Sequence, residues 1–304
     1  MFRHTLSVLR AFLWLALLPQ FLAFSPALAA DSEILVTSFP LWLLARQVAA
    51  GIPGVTVDLL IPADAGCPHD YGLTPRDMMR LSAADVLIMN GLGMEAFLGA
   101  DAAAAAARMK PGGRVIVSAE GVPDLLRDAD GTPNPHLFAS PRMAAWLVRN
   151  MGEGLAGAYP RHAGRYRANA AACAADLEAL AADFAALGPR LARTRIMTQH
   201  RDFDYLARDS GLEVVAAVQP HEGQEPSAAD LLRLVRLIRE KGVGAVFTDS
   251  QYPARAGETL ARETGIPLAV LDSVAGGPAG ASPDYYKYVM KNNLHVLEST
   301  LGVR

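Results

Sequence analysis

An alanine-rich run in the middle of the chain, residues 159–191, constrains the fold most strongly. It has no internal proline or glycine from 165 to 187, and large apolar residues recur every three or four positions at Leu177, Leu180, Phe184 and Leu187. This predicts one helix with an apolar face, spanning roughly 35 to 40 Å at about 1.5 Å per residue. We therefore expect a rod between two lobes. The alternative is an ordinary surface helix within one large domain.

Short β-branched apolar runs alternate with helix-like segments on both sides of this run. Strands are predicted at 34–39, 55–61, 86–89 and 114–117 before it, and at 195–198, 213–218, 245–248 and 268–271 after it. Such alternation indicates parallel sheets. The predicted class is α/β, with an N-terminal lobe at 30–158, a linking helix at 159–191 and a C-terminal lobe at 192–304. We expect a ligand site in the cleft between the two lobes.

The N-terminus reads as a secretory signal peptide covering residues 1–29. Arg3 and Arg10 make the start positive, and residues 11–24 are apolar. In Ala27-Leu28-Ala29 the two alanines supply small residues at the expected cleavage point. The apolar stretch is short for a bilayer span. We expect a soluble periplasmic protein, and no lipid anchor, because no cysteine lies near the cleavage point.

Composition favours a small ligand over a macromolecular one. Without the signal peptide the chain keeps 28 − 2 = 26 lysines and arginines against 31 acids, a net charge of −5. That charge gives no support for nucleic acid or an anionic membrane as partner. The two cysteines, Cys67 and Cys173, have no spacing that argues for a bridge, although a bridge between them stays open. We expect a monomer.

Three histidines and one aspartate lie where an α/β protein binds ligands. His69 follows the second predicted strand, His136 lies in a proline-bearing loop, His200 closes the strand 195–198, and Asp272 follows the strand 268–271. The carboxyl ends of parallel strands form the usual binding crevice. Three imidazoles and a carboxylate suit a divalent transition metal. For any single histidine, loop packing is the alternative. The remaining histidines lie in the signal peptide or in polar surroundings: His4, His162, His221 and His295.

Several longer segments add to this pattern in a fixed order along the chain. They read PHDYGLTPRD at 68–77, ADVLIMNGLGME at 84–95, NPH at 134–136, QHRDFDYLA at 199–207, QEPS at 224–227 and VLD at 270–272. Together they closely resemble the solute-binding proteins of zinc and manganese ABC importers. The resemblance covers nearly the whole chain after the signal peptide.

The resemblance implies two α/β lobes joined by one long helix, with a metal ion held between them. His69 and His136 match the family's ligands from the first lobe, and His200 and Asp272 match those from the second. This chain departs from many zinc-uptake members because the segment 120–135 is short and has no histidine. It also lacks the C-terminal disulfide of some relatives. The implied partner is an ABC permease, met transiently, with a periplasmic metallochaperone as a candidate metal donor.

Zinc is the expected cargo, with manganese or iron as the alternative. His200 decides this, because manganese-handling relatives often have a carboxylate there, whereas three imidazoles and one carboxylate fit four-coordinate zinc. Two residues complicate the ligand set. Asp249 also follows a predicted strand and competes with Asp272, and Cys67 lies two residues from His69.

Two other classes of protein remain open at this point. A secreted zinc hydrolase could use the three histidines and an open water position, but the chain has neither an HExxH nor a GxSxG motif. A binding protein for an organic ligand or chelate would leave the histidines unexplained. We therefore expect a protein that binds its metal without catalysing a reaction.

Overall fold

The first half of the chain forms a parallel four-stranded sheet. A computed structural model of the protein describes residues 32–66, 68–99, 101–128, 130–219 and 225–304. The strands lie in the order β2-β1-β3-β4, and Ile34 lies opposite both Val57 and Val86. They are β1 (Ser32–Val36), β2 (Val55–Leu59), β3 (Val86–Met89) and β4 (Arg114–Val117). The signal peptide and Cys67 lie outside the described residues.

The second half repeats this arrangement. Its strands lie in the order β6-β5-β7-β8, and every pairing is again parallel. They are β5 (Arg195–Thr198), β6 (Glu213–Ala217), β7 (Ala245–Asp249) and β8 (Leu268–Leu271). All eight strands occur where the sequence predicts them, within two or three residues at the ends. The predicted α/β class with two parallel sheets is confirmed.

Nine helices flank the sheets in the described part of the chain. They are α1 (Phe39–Val48), α2 (Pro75–Ala83), α3 (Ala102–Ala106), α4 (Pro141–Ala158), α5 (Ala163–Ala185), α6 (Asp204–Asp209), α7 (Ala228–Lys241), α8 (Arg255–Thr264) and α9 (Tyr285–Leu301). Helices α2 and α7 both begin with a capping box, Thr74 with Asp77 and Ser227 with Asp230. Within these ranges we find no helix with the length and apolar character needed to cross a membrane.

The long alanine-rich run is helical, but it is not one regular α-helix from 159 to 191. Helix α5 covers residues 163–185 and is flanked by 3-10 turns at Pro160–His162 and Gly188–Arg190. Both turns contain a proline, which has no backbone N–H and disfavours the helical conformation in the residue before it. The run is therefore a long helix with bent ends.

Helix α5 also has a close partner that the sequence did not predict. It packs along α4 and contacts α1, α6 and α9. Residues of α4, α5 and α9 join the inner faces of both sheets in one hydrophobic cluster, which includes Ile34 on β1 and Phe247 on β7. Both sheets lie in one compact unit, residues 31–304.

Cys173 on α5 is a buried free thiol, and burial raises its pKa to about 12.

Glycine allows α4 and α5 to approach closely. A Cβ atom at Gly152 would lie 2.4 Å from the Cβ of Ala170 on α5, which is too near for two methyl groups. A Cβ atom at Gly154 would lie 2.7 Å from the side chain of Ile116 on β4. Helix α4 therefore carries glycines, which lower its intrinsic helix propensity, at positions where its neighbours need the space.

We predict that Gly152→Ala lowers the free energy of unfolding by about 1–3 kcal/mol, because the added methyl group overpacks the contact with Ala170. Gly157→Ala on the same helix is the matched control, since a Cβ atom there meets nothing within 4 Å. It should be neutral, or stabilising by up to about 1 kcal/mol. Urea unfolding followed by circular dichroism measures both. Equal midpoints for the two variants would contradict the close packing.

Candidate metal centre

The predicted ligands lie at or beyond the carboxyl ends of strands, as expected. His69 is in the 3-10 turn Pro68–Asp70 that follows β2, and His136 directly precedes the turn Leu137–Ala139 before α4. His200 comes two residues after β5, and Asp272 immediately follows β8. In parallel sheets this edge is the natural place for a ligand site.

The two histidines of the first half lie next to each other. Their ring centroids are 5.4 Å apart, and the ring planes meet at 66°. His136 is buried and His69 is half-buried. In tetrahedral zinc sites the nitrogens of two imidazoles lie about 3.3 Å apart, given Zn–N bonds of about 2.0–2.1 Å. Neighbouring rings at this separation are suitable for sharing one ion.

His200 lies in the second half and is 3% exposed. Its ring lies 4.4 Å from the ring of Tyr252, measured between centroids. The preceding residue, Gln199, is anchored to β7 and its following loop: its side-chain oxygen accepts a hydrogen bond from the Asp249 N–H at 3.1 Å, and its Nε2 donates to the Pro253 carbonyl at 2.9 Å. The backbone that carries His200 is thus held by two neighbouring segments.

Asp272 lies beside a second carboxylate, Asp249. Burial raises the pKa of the Asp272 carboxyl and the charge of Asp249 raises it further, whereas a hydrogen bond from the Val274 N–H lowers it. Asp249 is 1% exposed, and among the described residues its Oδ2 has no hydrogen-bond partner. A buried carboxylate, Asp249, and a half-buried one, Asp272, repel each other, so a cation near them would be stabilised. The strand ends therefore offer two candidate oxygen ligands.

The structure thus brings together His69 with His136, and Asp249 with Asp272. Within the described ranges, no three histidine, cysteine, aspartate or glutamate side chains are close enough together to form a complete metal-binding group. The four-residue ligand set therefore stays a prediction.

Asn134 links the His136 segment to the backbone next to His200. Its Nδ2 donates to the carbonyl of Arg201, the residue after His200, at 2.8 Å, and its side-chain oxygen accepts from the backbone N–H of His136 at 2.9 Å. The hydroxyl of Tyr205 donates to the Asn134 carbonyl at 2.8 Å and accepts from the Leu126 N–H at 3.1 Å. No local sequence pattern predicts this role for Asn134, and the only signal is its position two residues before His136.

The loop carrying His136 is also held from the first sheet. Glu95 is fully buried, and it accepts hydrogen bonds from the Thr37 hydroxyl at 2.8 Å, the Asn90 N–H at 2.7 Å and the Gly91 N–H at 3.0 Å. Burial raises the pKa of Glu95 although these donors oppose the change. The Asn90 side chain in turn donates to the Pro135 carbonyl at 3.0 Å. The backbone before His136 is therefore fixed from both sheets.

An ion pair and a hydrogen bond hold residues 124–128 against the second half. Arg201 pairs with Asp128 and, at 2.7 Å, with Asp204. Burial raises the pKa of Asp204, and the adjacent Arg201 guanidinium opposes that rise. Arg208 donates to the Asp124 carbonyl at 2.7 Å. Arg201 thus links the strand end beyond His200 to the segment that precedes His136.

Comparison with known proteins gives one consistent result. The family model described as zinc-uptake complex component A, periplasmic (ZnuA), matches residues 34–300. The high-affinity zinc uptake system protein ZnuA of Bacillus subtilis (strain 168) is 27% identical over 297 residues, covering 91% of each chain. The iron-binding protein YfeA of Yersinia pestis is 26% identical over 276 residues, covering 87% of this chain and 85% of that protein.

A solved structure extends the likeness to the fold. The solute-binding protein FpvC of Pseudomonas aeruginosa, in complex with Mn²⁺, is 32% identical and superposes with a TM-score of 0.78. The match covers 89% of this chain and 98% of that one. The likeness therefore includes both sheets and the helices between them.

We predict that Tyr205→Phe lowers the free energy of unfolding by about 1–3 kcal/mol, because it leaves the Asn134 carbonyl and the Leu126 N–H without their buried partner. Tyr288→Phe is the control, since Tyr288 is 70% exposed, and it should change stability by less than about 0.5 kcal/mol. Urea unfolding of the metal-free protein measures both. Equal stability of the two variants would show that the Tyr205 hydroxyl does not support this loop.

Proposed function

This chain belongs to the family of periplasmic zinc-uptake complex component A, and we propose that it captures a divalent transition metal, zinc first, and delivers it to an ABC importer. The paired rings of His69 and His136 carry this proposal. A second observation supports it, because Asn134 ties the His136 segment to the residue that follows His200.

The proposed ligands are His69, His136, His200 and Asp272. Two of them come from each sheet, so the ion lies between the sheets and binds to both halves of the fold. With Asp272 as the fourth ligand, a tetrahedral zinc ion has no open position for a reactive water. The site then binds without catalysing a reaction, which is the behaviour of a solute-binding protein rather than of a zinc hydrolase.

Zinc fits this set of donors best, since it accepts mixed imidazole and carboxylate ligands without a geometric preference of its own. Manganese or iron is the second candidate. The buried Asp249 beside Asp272 favours it, because additional carboxylate oxygens suit metals of higher coordination number. The names of the relatives agree with both candidates, since they include a zinc uptake protein, an iron-binding protein and a protein complexed with Mn²⁺.

The proposed partners and location follow from this function. The protein works in the periplasm as a monomer, exported by the signal peptide at residues 1–29. It meets an ABC permease of the inner membrane transiently, and a periplasmic metallochaperone is a candidate donor of its metal. Separating the lobes would break the contacts between them, which costs free energy. We therefore expect metal release to involve loop movements at the site rather than wide opening of the lobes.

We predict that alanine at His69, His136 or His200 weakens zinc binding by at least about 10-fold and leaves the metal-free fold intact, because these residues lie in loops at the strand ends. His295→Ala is the control, since this histidine is exposed on α9. Competition with a chromophoric zinc chelator gives the affinities. Full affinity in one histidine variant would remove that residue from the site.

A comparison of Asp272→Ala with Asp249→Ala assigns the carboxylate ligand. Asp272→Ala should weaken zinc binding more than Asp249→Ala does.

We predict that zinc outcompetes manganese for the metal-free protein by orders of magnitude, as three imidazole ligands imply. His200→Glu should narrow the difference, because it replaces a nitrogen donor with oxygen. Affinity for zinc should fall as the pH is lowered, since protons compete for the imidazole lone pairs. Direct competition followed by elemental analysis measures the preference. Equal binding of the two ions by the parent protein would exclude the zinc assignment.

A further inference from the structure

The side chain of Asn134 lies between His136 and the backbone beyond His200. Two hydrogen-bond partners fix the orientation of its amide, because one of them can only donate and the other can only accept. The backbone N–H of His136 can only donate, so the atom that it contacts at 2.9 Å must be the amide oxygen. The carbonyl of Arg201 can only accept, so the atom that it contacts at 2.8 Å must be the amide nitrogen. Both contacts require the same orientation of the amide.

This orientation determines where the proton lies on the neutral ring of His136. Nδ1 of His136 is 2.8 Å from the same amide oxygen of Asn134. Because an amide oxygen has no proton to give, Nδ1 must carry the hydrogen and donate it. In a neutral imidazole the lone pair then lies on Nε2, which is the nitrogen that can coordinate a metal ion.

We propose that Asn134 is the positioning residue of the metal site: it holds His136 in the tautomer that presents Nε2 to the ion. This inference rests on the proposed function, since it assumes that His136 is a ligand. It assigns a role to a residue that does not itself contact the metal.

The surroundings of Asn134 make the arrangement rigid. The residue is 2% exposed, and the Tyr205 hydroxyl holds its carbonyl. Pro135, which separates Asn134 from His136, restricts the backbone further and receives a hydrogen bond from Asn90. The ring of His136 is therefore oriented before the ion arrives, and little rotamer freedom remains to be lost on binding. Partners of this kind typically change metal affinity by about 10- to 100-fold when they are removed.

The test compares three variants of the full chain. Asn134→Leu removes the acceptor and the donor, whereas Asn134→Asp keeps an oxygen for the His136 ring and loses the donor to Arg201. Asn169→Leu is the matched control. The side-chain amide of Asn169, on α5, donates to the carbonyls of Val48 and Ala50, so this variant likewise removes side-chain hydrogen bonds to the backbone. For each protein, zinc affinity is measured by chelator competition and metal-free stability by urea unfolding. The protonation of the His136 ring is measured by nitrogen-15 NMR.

We expect Asn134→Leu to lose about 10- to 100-fold in zinc affinity. Asn134→Asp should stay within about fivefold of the parent protein even where its metal-free form is less stable, and Asn169→Leu should keep its affinity even where its stability falls. In the zinc-bound parent the NMR spectrum should show the proton on Nδ1 of His136.

Three results would overturn the proposal: parental affinity in Asn134→Leu, an equal loss in Asn134→Asp and Asn134→Leu, or a proton on Nε2 of His136. If Asn169→Leu lost as much zinc affinity as Asn134→Leu, the proposal would fail as well, because zinc affinity would then simply follow the stability of the metal-free protein. Failure of the proposed function looks different. In that case the parent protein does not bind zinc, or His136→Ala binds it normally.

Discussion

The close contact between α4 and α5 is the constraint on which the rest of the structure depends. The two helices pack on each other and share one hydrophobic cluster with residues of both sheets. Gly152 permits this approach, since any larger residue would meet Ala170. Because both sheets contribute to this cluster, their carboxyl edges have fixed positions relative to each other.

Polar contacts between the halves add to this fixed arrangement at points around the candidate site. On one side, Asn134 and Tyr205 connect the His136 segment to the second half. On another, the Gly277 N–H donates to the Ala63 carbonyl at 2.7 Å, and Arg46 on α1 donates to the Ala281 carbonyl at 2.6 Å. The halves are therefore joined by directional bonds as well as by apolar packing, which disfavours a wide hinge motion.

Local sequence patterns predicted the strands well, because each is a short β-branched run with turn residues at its ends. They also predicted that the candidate histidines lie at or beyond the carboxyl ends of strands, which is where the structure has them. They did not predict α4 or α9. Helix α4 contains glycines at 152, 154 and 157 that read as breaks in a helix, although the structure needs two of them for packing. The roles of Asn134, Glu95 and Tyr205 depend on partners distant in sequence, up to 79 residues away for Tyr205, so no local pattern could show them.

The shared hydrophobic cluster affects how the protein unfolds, and therefore how often proteases can reach its backbone. Since both sheets contribute to one cluster, the halves should unfold together rather than one at a time. An ion bound between the sheets would then stabilise the entire chain, by about 2.7 kcal/mol at a hundredfold excess over its dissociation constant. The loaded protein would expose its backbone to proteases about a hundred times less often than the empty one. Occupancy of the proposed site would thus lengthen the life of each copy.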